Sequence, residues 1–117
     1  MPSEGQFDSP PLDFARIREA SGGDGEFERD LFEAYVEDCG GRVAGLRGLH
    51  AAGDADQLRR EAHTIKGASA NIGTARLHEI AGALETADSA MADGLIAEAE
   101  DEFTRVRSAI HAYLSSE

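Results

Sequence analysis

The chain has no tryptophan, one cysteine and three prolines among its 117 residues. A lone Cys39 closes no internal disulfide, so the fold must hold by packing alone, and the setting expected is a reducing, cytoplasmic one. All three prolines, Pro2, Pro10 and Pro11, fall in the first eleven residues, which leaves the rest of the chain without the residue that most readily breaks a helix. Positive charge is scarce as well: 11 Lys and Arg stand against 23 Asp and Glu, a formal charge of -12. A surface this acidic repels phosphate backbones and anionic lipid, so neither nucleic acid nor a membrane is an expected partner. No apolar run approaches the roughly 20 residues needed to cross a bilayer. The opening MPSEGQFDSP is acidic and polar where a secretory leader would be basic and then apolar.

What remains is the balance of a soluble globular chain, 41% hydrophobic and 29% charged, at a length that suits one domain. Residues 1–11 show no apolar periodicity and read as a loose leader, and the domain is expected over 12–117. Its first segment, LDFARIREA, stops at Ser21-Gly22-Gly23 and reads as a helix of two or three turns. After Asp24, apolar residues at Phe27, Leu31, Tyr35, Cys39, Val43, Leu46 and Leu49 predict a helix over 25–51, whose four glycines allow a bend in its second half. Gly53-Asp54 opens a third helix over 54–72, with Leu58, Ala62, Ile65, Ser69 and Ile72 inward. Gly73-Thr74 starts a fourth, carried by Leu77, Ile80, Leu84, Ala87 and Met91. A break at Asp93-Gly94 then precedes a fifth through Leu95, Ala99, Phe103, Val106, Ile110 and Tyr113 or Leu114. No segment alternates as a strand does, and such short links force neighbouring helices antiparallel. The expected fold is all-α: an antiparallel up-and-down four-helix bundle with a short additional N-terminal helix.

The third helix carries the informative cluster, AHTIKGASANIG from Ala62 to Gly73. At about 100° per residue, His63 points about 140° from the core direction, Gly67 about 180° and Lys66 about 80°. His63 therefore faces solvent. One turn on, Gly67 leaves bare surface at a cost in helix stability, and Ala70 keeps the same lane low. Lys66 can swing its ammonium toward a group attached to the imidazole. Imidazole titrates near about pH 6.5, so an exposed one is a ready nucleophile at neutral pH. There is no G-x-x-x-x-G-K-[ST] loop to bind ATP.

This stretch resembles the signature of histidine-containing phosphotransfer (HPt) domains, in which Lys and Gly follow the histidine at the third and fourth positions. LDFARI with GGD, the turn at Gly53-Asp54 and the pair Leu84-Glu85 extend the similarity over roughly residues 12–114. The resemblance implies a phosphorelay intermediate that accepts a phosphoryl group from a receiver-domain aspartate onto His63 and passes it to another receiver aspartate. It implies a phosphocarrier without kinase activity, and as partners response-regulator receiver domains or a hybrid histidine kinase. Magnesium is then expected only in the partner, with no cofactor on this chain. In such a transfer Lys66 would neutralise phosphoryl oxygens, and Glu85 corresponds to a family position that approaches the histidine and could orient the imidazole or hold Lys66, with a plain solvated glutamate as the competing reading. A receiver would dock on the lane of His63, Gly67 and Ala70, with Arg59 as a polar contact and Phe14 and Ile17 of the first helix as rim candidates, core packing being the expected fate of at least one of the two.

Other readings were weighed against this one. His50, His78 and His111 lack the following Lys and Gly and read as ordinary surface residues. A metal-binding bundle needs inward Glu-x-x-His pairs, which the chain lacks, so no metal site is expected. The remaining alternative is a non-catalytic helical adaptor or interaction module whose exposed histidine is incidental, and the protein is expected to be a monomer.

Overall fold

A computed structural model describes residues 11–116. The expected leader, apart from Pro11, lies outside them. Five helices follow in order: α1 Phe14–Ser21, α2 Gly25–Ala51, α3 Ala55–Ile72, α4 Ala75–Thr86 and α5 Ser89–Ser115. Helix α2 packs on α3, α3 on α4, α4 on α5, and α5 back on α2, which closes a four-helix ring around one core. Helix α1 lies against α2 at the end where α2 begins. The bundle is all-α among the described residues, and none of its helices is long and apolar enough to cross a membrane.

Aspartate sets most of the helix starts. Asp13, Asp24, Asp54 and Asp88 each accept a hydrogen bond from the backbone N–H three residues on, at 2.9–3.1 Å. Each satisfies an amide that the helix itself cannot reach. The start of α4 is built differently, because Thr74 makes no such side-chain bond. Its hydroxyl donates to the Ser69 carbonyl at 3.1 Å, and Tyr35 Oη lies 3.1 Å from Ser69 Oγ. These three residues are buried. Their mutual hydrogen bonds spare the core a desolvated hydroxyl. Between α3 and α4, Gly73 takes φ 87°, a left-handed backbone that side chains resist, and an added Cβ would also stand 3.4 Å from Asp13 Cβ.

The structure moves three of the sequence expectations. The fourth helix ends at Thr86, and the break falls at Ala87-Asp88 rather than Asp93-Gly94. Ala87 is extended at φ -72°, ψ 142°, and Asp88 caps Met91. Met91 accordingly leaves the apolar stripe of α4 and stands exposed in the first turn of α5. Asp93 and Gly94 sit inside α5, where Asp93 reaches Arg47 of α2 at 3.1 Å. The second shift concerns Phe27, which is half exposed, while Glu28 and Phe32 turn inward. From Phe27 to Val43 the expected stripe advances by fours, and each such step drifts about 40° around a helix, so its first members rotate off the core.

The third shift follows from that rotation. Phe32 meets Phe14 and Tyr113 edge-on at 5.8 Å, and Phe14 stacks on Tyr113 at 4.3 Å. Tyr113 donates to Glu28 at 2.7 Å and Ser21 does the same from α1. These two bonds hold the Glu28 carboxyl below the usual carboxylate range. Ile17 is thereby drawn into the core at 4% exposure, and it cannot serve as a docking rim. Phe14 keeps only part of its surface.

The position of the break between α4 and α5 is testable by equilibrium urea unfolding. Asp88→Ala should lose about 1 kcal/mol through the missing cap. Gly94→Ala, in mid-helix with open space around it, should gain roughly 0.5–1 kcal/mol. A break at residues 93–94 would reverse both signs.

Candidate functional site

Helix α3 turns His63 away from the core because Ala62 and Ile65 on either side of it are buried at 0% and 1%. The His63 side chain is 70% exposed, yet it is not loose. Its Nδ1 lies 2.8 Å from Oε2 of Glu85 on α4. The other oxygen of the same carboxylate, Oε1, lies 2.5 Å from Lys66 Nζ. One carboxylate thus spans the groove between α3 and α4 and joins the two candidate residues. Its own side chain is only 19% exposed.

Packing explains how the lysine gets there. Lys66 points toward α4, and its stem runs over Gly82, where an added Cβ would come within 3.4 Å of Lys66 Cδ. His78, also on α4, places its Nδ1 3.1 Å from the Lys66 carbonyl. His78 is therefore half-buried and bonded to the motif, not the ordinary surface histidine expected from its lack of a following Lys and Gly.

The charge states follow from these contacts. The hydrogen bond from Lys66, and after it the one from His63, hold the Glu85 carboxyl below the usual carboxylate range. An ionised carboxylate can only accept, so the proton in the contact with His63 belongs to Nδ1. The lone pair of the neutral ring is then on Nε2, a nitrogen that no group among the described residues holds.

Around the ring the surface is low on one side and polar on the other. Gly67 and Ala70 are exposed, and a Cβ at Gly67 would meet nothing within 4 Å. The chain's own packing does not call for glycine there. Toward the N-terminus of α3, Asp56, Arg59, Arg60, His63, Thr64 and Glu85 line a shallow hollow. Arg59, exposed, pairs with Asp56 at 3.4 Å. Phe14 and Ile17 belong to the α1 end of the bundle and do not join this cluster.

The Hpt domain family model matches residues 30–109, more than half of the chain. The chain belongs to the Hpt family. Its structure is similar to the crystal structure of histidine-containing phosphotransfer protein B (HptB) from Pseudomonas aeruginosa PAO1, with 30% sequence identity and a TM-score of 0.80. The match covers 94% of this chain and 99% of that one. No curated protein sequence matches significantly. As an Hpt domain, the chain has a histidine phosphotransfer role in two-component signalling, as a phosphocarrier that works with receiver domains.

Two features of this Hpt domain were missed from sequence. Arg60 shares the hollow with His63, a placement its position three residues before the histidine could have signalled. The second is the bond from His78, which depends on where α4 lies. The tautomer is open to measurement. With the ring neutral, nitrogen-15 spectra should show His63 protonated at Nδ1, and Glu85→Ala should shift the signal toward the Nε2-protonated form. A wild-type ring already protonated at Nε2 would contradict the assignment.

Proposed function

We propose that His63 is the phosphoacceptor, charged by the aspartyl phosphate of one receiver domain and discharged onto the aspartate of another. The observation that carries this reading is the 2.8 Å contact between Nδ1 and Glu85, which leaves the Nε2 lone pair facing solvent. In the forward step Nε2 attacks phosphorus, the N–P bond forms, and the P–O bond to the partner's carboxylate breaks with the electron pair leaving on oxygen. No proton has to move. The ring becomes cationic as the phosphoryl group arrives, and the Glu85 carboxylate against Nδ1–H stabilises that charge.

Lys66 supplies charge on the other side. Its ammonium has three donors, so it can keep Glu85 and still reach a phosphoryl oxygen. A phosphorylated ring that remains protonated at Nδ1 has a good leaving group, which suits a carrier that must give up its load. The acyl phosphate and its magnesium belong to the partner, and this chain needs no cofactor of its own. Gly67 and Ala70, with Arg59 beside them, form the landing surface in this reading, and the protein acts as a cytoplasmic monomer without nucleic acid or membrane. Phosphoryl flow needs only that each partner bring its aspartate in line with Nε2.

Incubation with a phosphorylated receiver should place an acid-labile, alkali-stable phosphate on the wild-type chain and none on His63→Gln. Lys66→Ala should slow transfer by roughly tenfold or more, the loss of one cation at the developing charge. A label of undiminished rate on His63→Gln would move the acceptor elsewhere.

Gly67 separates docking from folding. Gly67→Ala should stabilise the free protein by up to about 1 kcal/mol in thermal or urea unfolding. Gly67→Arg should keep the fold, as judged by its circular dichroism, and block transfer from a receiver; normal transfer in that variant would remove the landing surface.

A further inference from the structure

We infer that Arg60 is a second phosphoryl-binding cation of the site, closing on the group carried by Nε2 from the side opposite Lys66. The inference rests on His63 as phosphoacceptor. It starts from an imbalance. In a chain with 11 basic and 23 acidic residues, a basic side chain is surrounded by possible partners. Arg42, Arg47, Arg59, Lys66 and Arg76 each have one, while Arg16 and Arg107, which do not line the hollow of His63, resemble Arg60 in having no ion pair among the described residues. Arg60 is exposed, and its guanidinium has no carboxylate partner among the described residues. Asp56, one turn before it, pairs with Arg59 instead. Glu61, the next residue, faces α2 and bonds Arg42 at 3.0 Å.

The geometry places this unpaired cation beside the nucleophile. Three residues apart on α3, Arg60 and His63 lie about 60° apart around the helix and about 4.5 Å along it, so they are neighbours on the exposed face. Lys66 lies on the other flank of His63, toward α4. Arg60 and His63 line the same hollow. Among the other groups there, Asp56 and Arg59 neutralise each other, Thr64 donates its hydroxyl to the Arg60 carbonyl, and Glu85 is bound to His63 and Lys66. Arg60 is the cation of the hollow with no acid to offset it.

The chemistry supplies the reason for a second cation. Before transfer, the Lys66 ammonium and the Glu85 carboxylate cancel. A phosphoryl group brings close to two negative charges and three acceptor oxygens, and a lysine already shared with a carboxylate does not balance it. A guanidinium offers a planar fork suited to two phosphoryl oxygens and stays charged at every working pH. Arg60 donates to these oxygens while the N–P bond forms and the P–O bond breaks, and it exchanges no proton.

The test uses two donors on the full chain: a phosphorylated receiver and phosphoramidate, which is too small to dock. Wild type and Arg60→Gln are followed by the acid-labile label, with Arg60→Lys as the conservative variant. Arg60→Gln is expected to take the label on His63 about tenfold more slowly from both donors, with an unchanged melting curve. Arg60→Lys should recover most of the rate. If Arg60→Gln labels at the wild-type rate with phosphoramidate, whether or not the receiver reaction slows, Arg60 does not touch the phosphoryl group and the inference is overturned. Failure of the underlying reading looks different: the wild-type chain would take no such label from either donor, or His63→Gln would keep it.

Discussion

The site depends on one carboxylate. Glu85 holds an imidazole with one oxygen and an ammonium with the other, and both partners come from α3 while Glu85 stands on α4. An exposed histidine on an isolated helix would sample several rotamers and both tautomers. Here the carboxylate selects the tautomer with a free Nε2, the same logic by which an acidic neighbour orients a histidine in catalytic and metal sites. Lys66 is fixed by the same contact, and its lowering of the Glu85 pKa keeps the acceptor ionised. Removing Glu85 would therefore release two residues at once.

The rest of the bundle keeps that carboxylate at hydrogen-bonding distance. Leu84, beside Glu85, is buried at 3%, and Ile65, beside Lys66, at 1%, so the polar trio stands directly on core contacts. The short Gly73-Thr74 link and the buried cluster of Tyr35, Ser69 and Thr74 fix how α3 and α4 meet at one end. Gly82 lowers the surface of α4 under the lysine stem. At that same end, where Asp13 lies against Gly73, α1 seals the core through Ile17 and the stacked rings of Phe14 and Tyr113. That end has a structural task, which is why Ile17 is not free to form a docking rim.

Charge divides the molecule in a similar way. The chain is strongly acidic overall, yet α3 gathers Arg59, Arg60 and Lys66 around His63. A phosphorylated carboxylate approaching so acidic a protein finds a local group of cations here. The cations stand on an open surface beside His63 without any deep cleft, as suits a carrier that must meet large partners and release them again.

Much of this was legible in the chain before it folded. Helix periodicity and aspartate caps gave α1, α2 and α3 within a residue or two, because those signals are local. The exposure of His63 and the bare lane at Gly67 follow from spacing along a single helix. The family motif pointed to Glu85, while spacing alone made it one glutamate among many. The break at Ala87-Asp88 was missed because it contains neither glycine nor proline, while Asp93-Gly94, with the stronger local signal, is held helical by the packing of α5. Phe27, Glu28 and Ile17 changed places relative to expectation because rings from α1, α2 and α5 meet there. The amino-acid order by itself determined which residues share a helix face, since that depends on a fixed rotation per residue. Only the tertiary structure decided that Glu85 bonds both His63 and Lys66, and that Arg60 has no acid to hold it among the described residues, since both facts depend on how separate helices approach one another across the bundle.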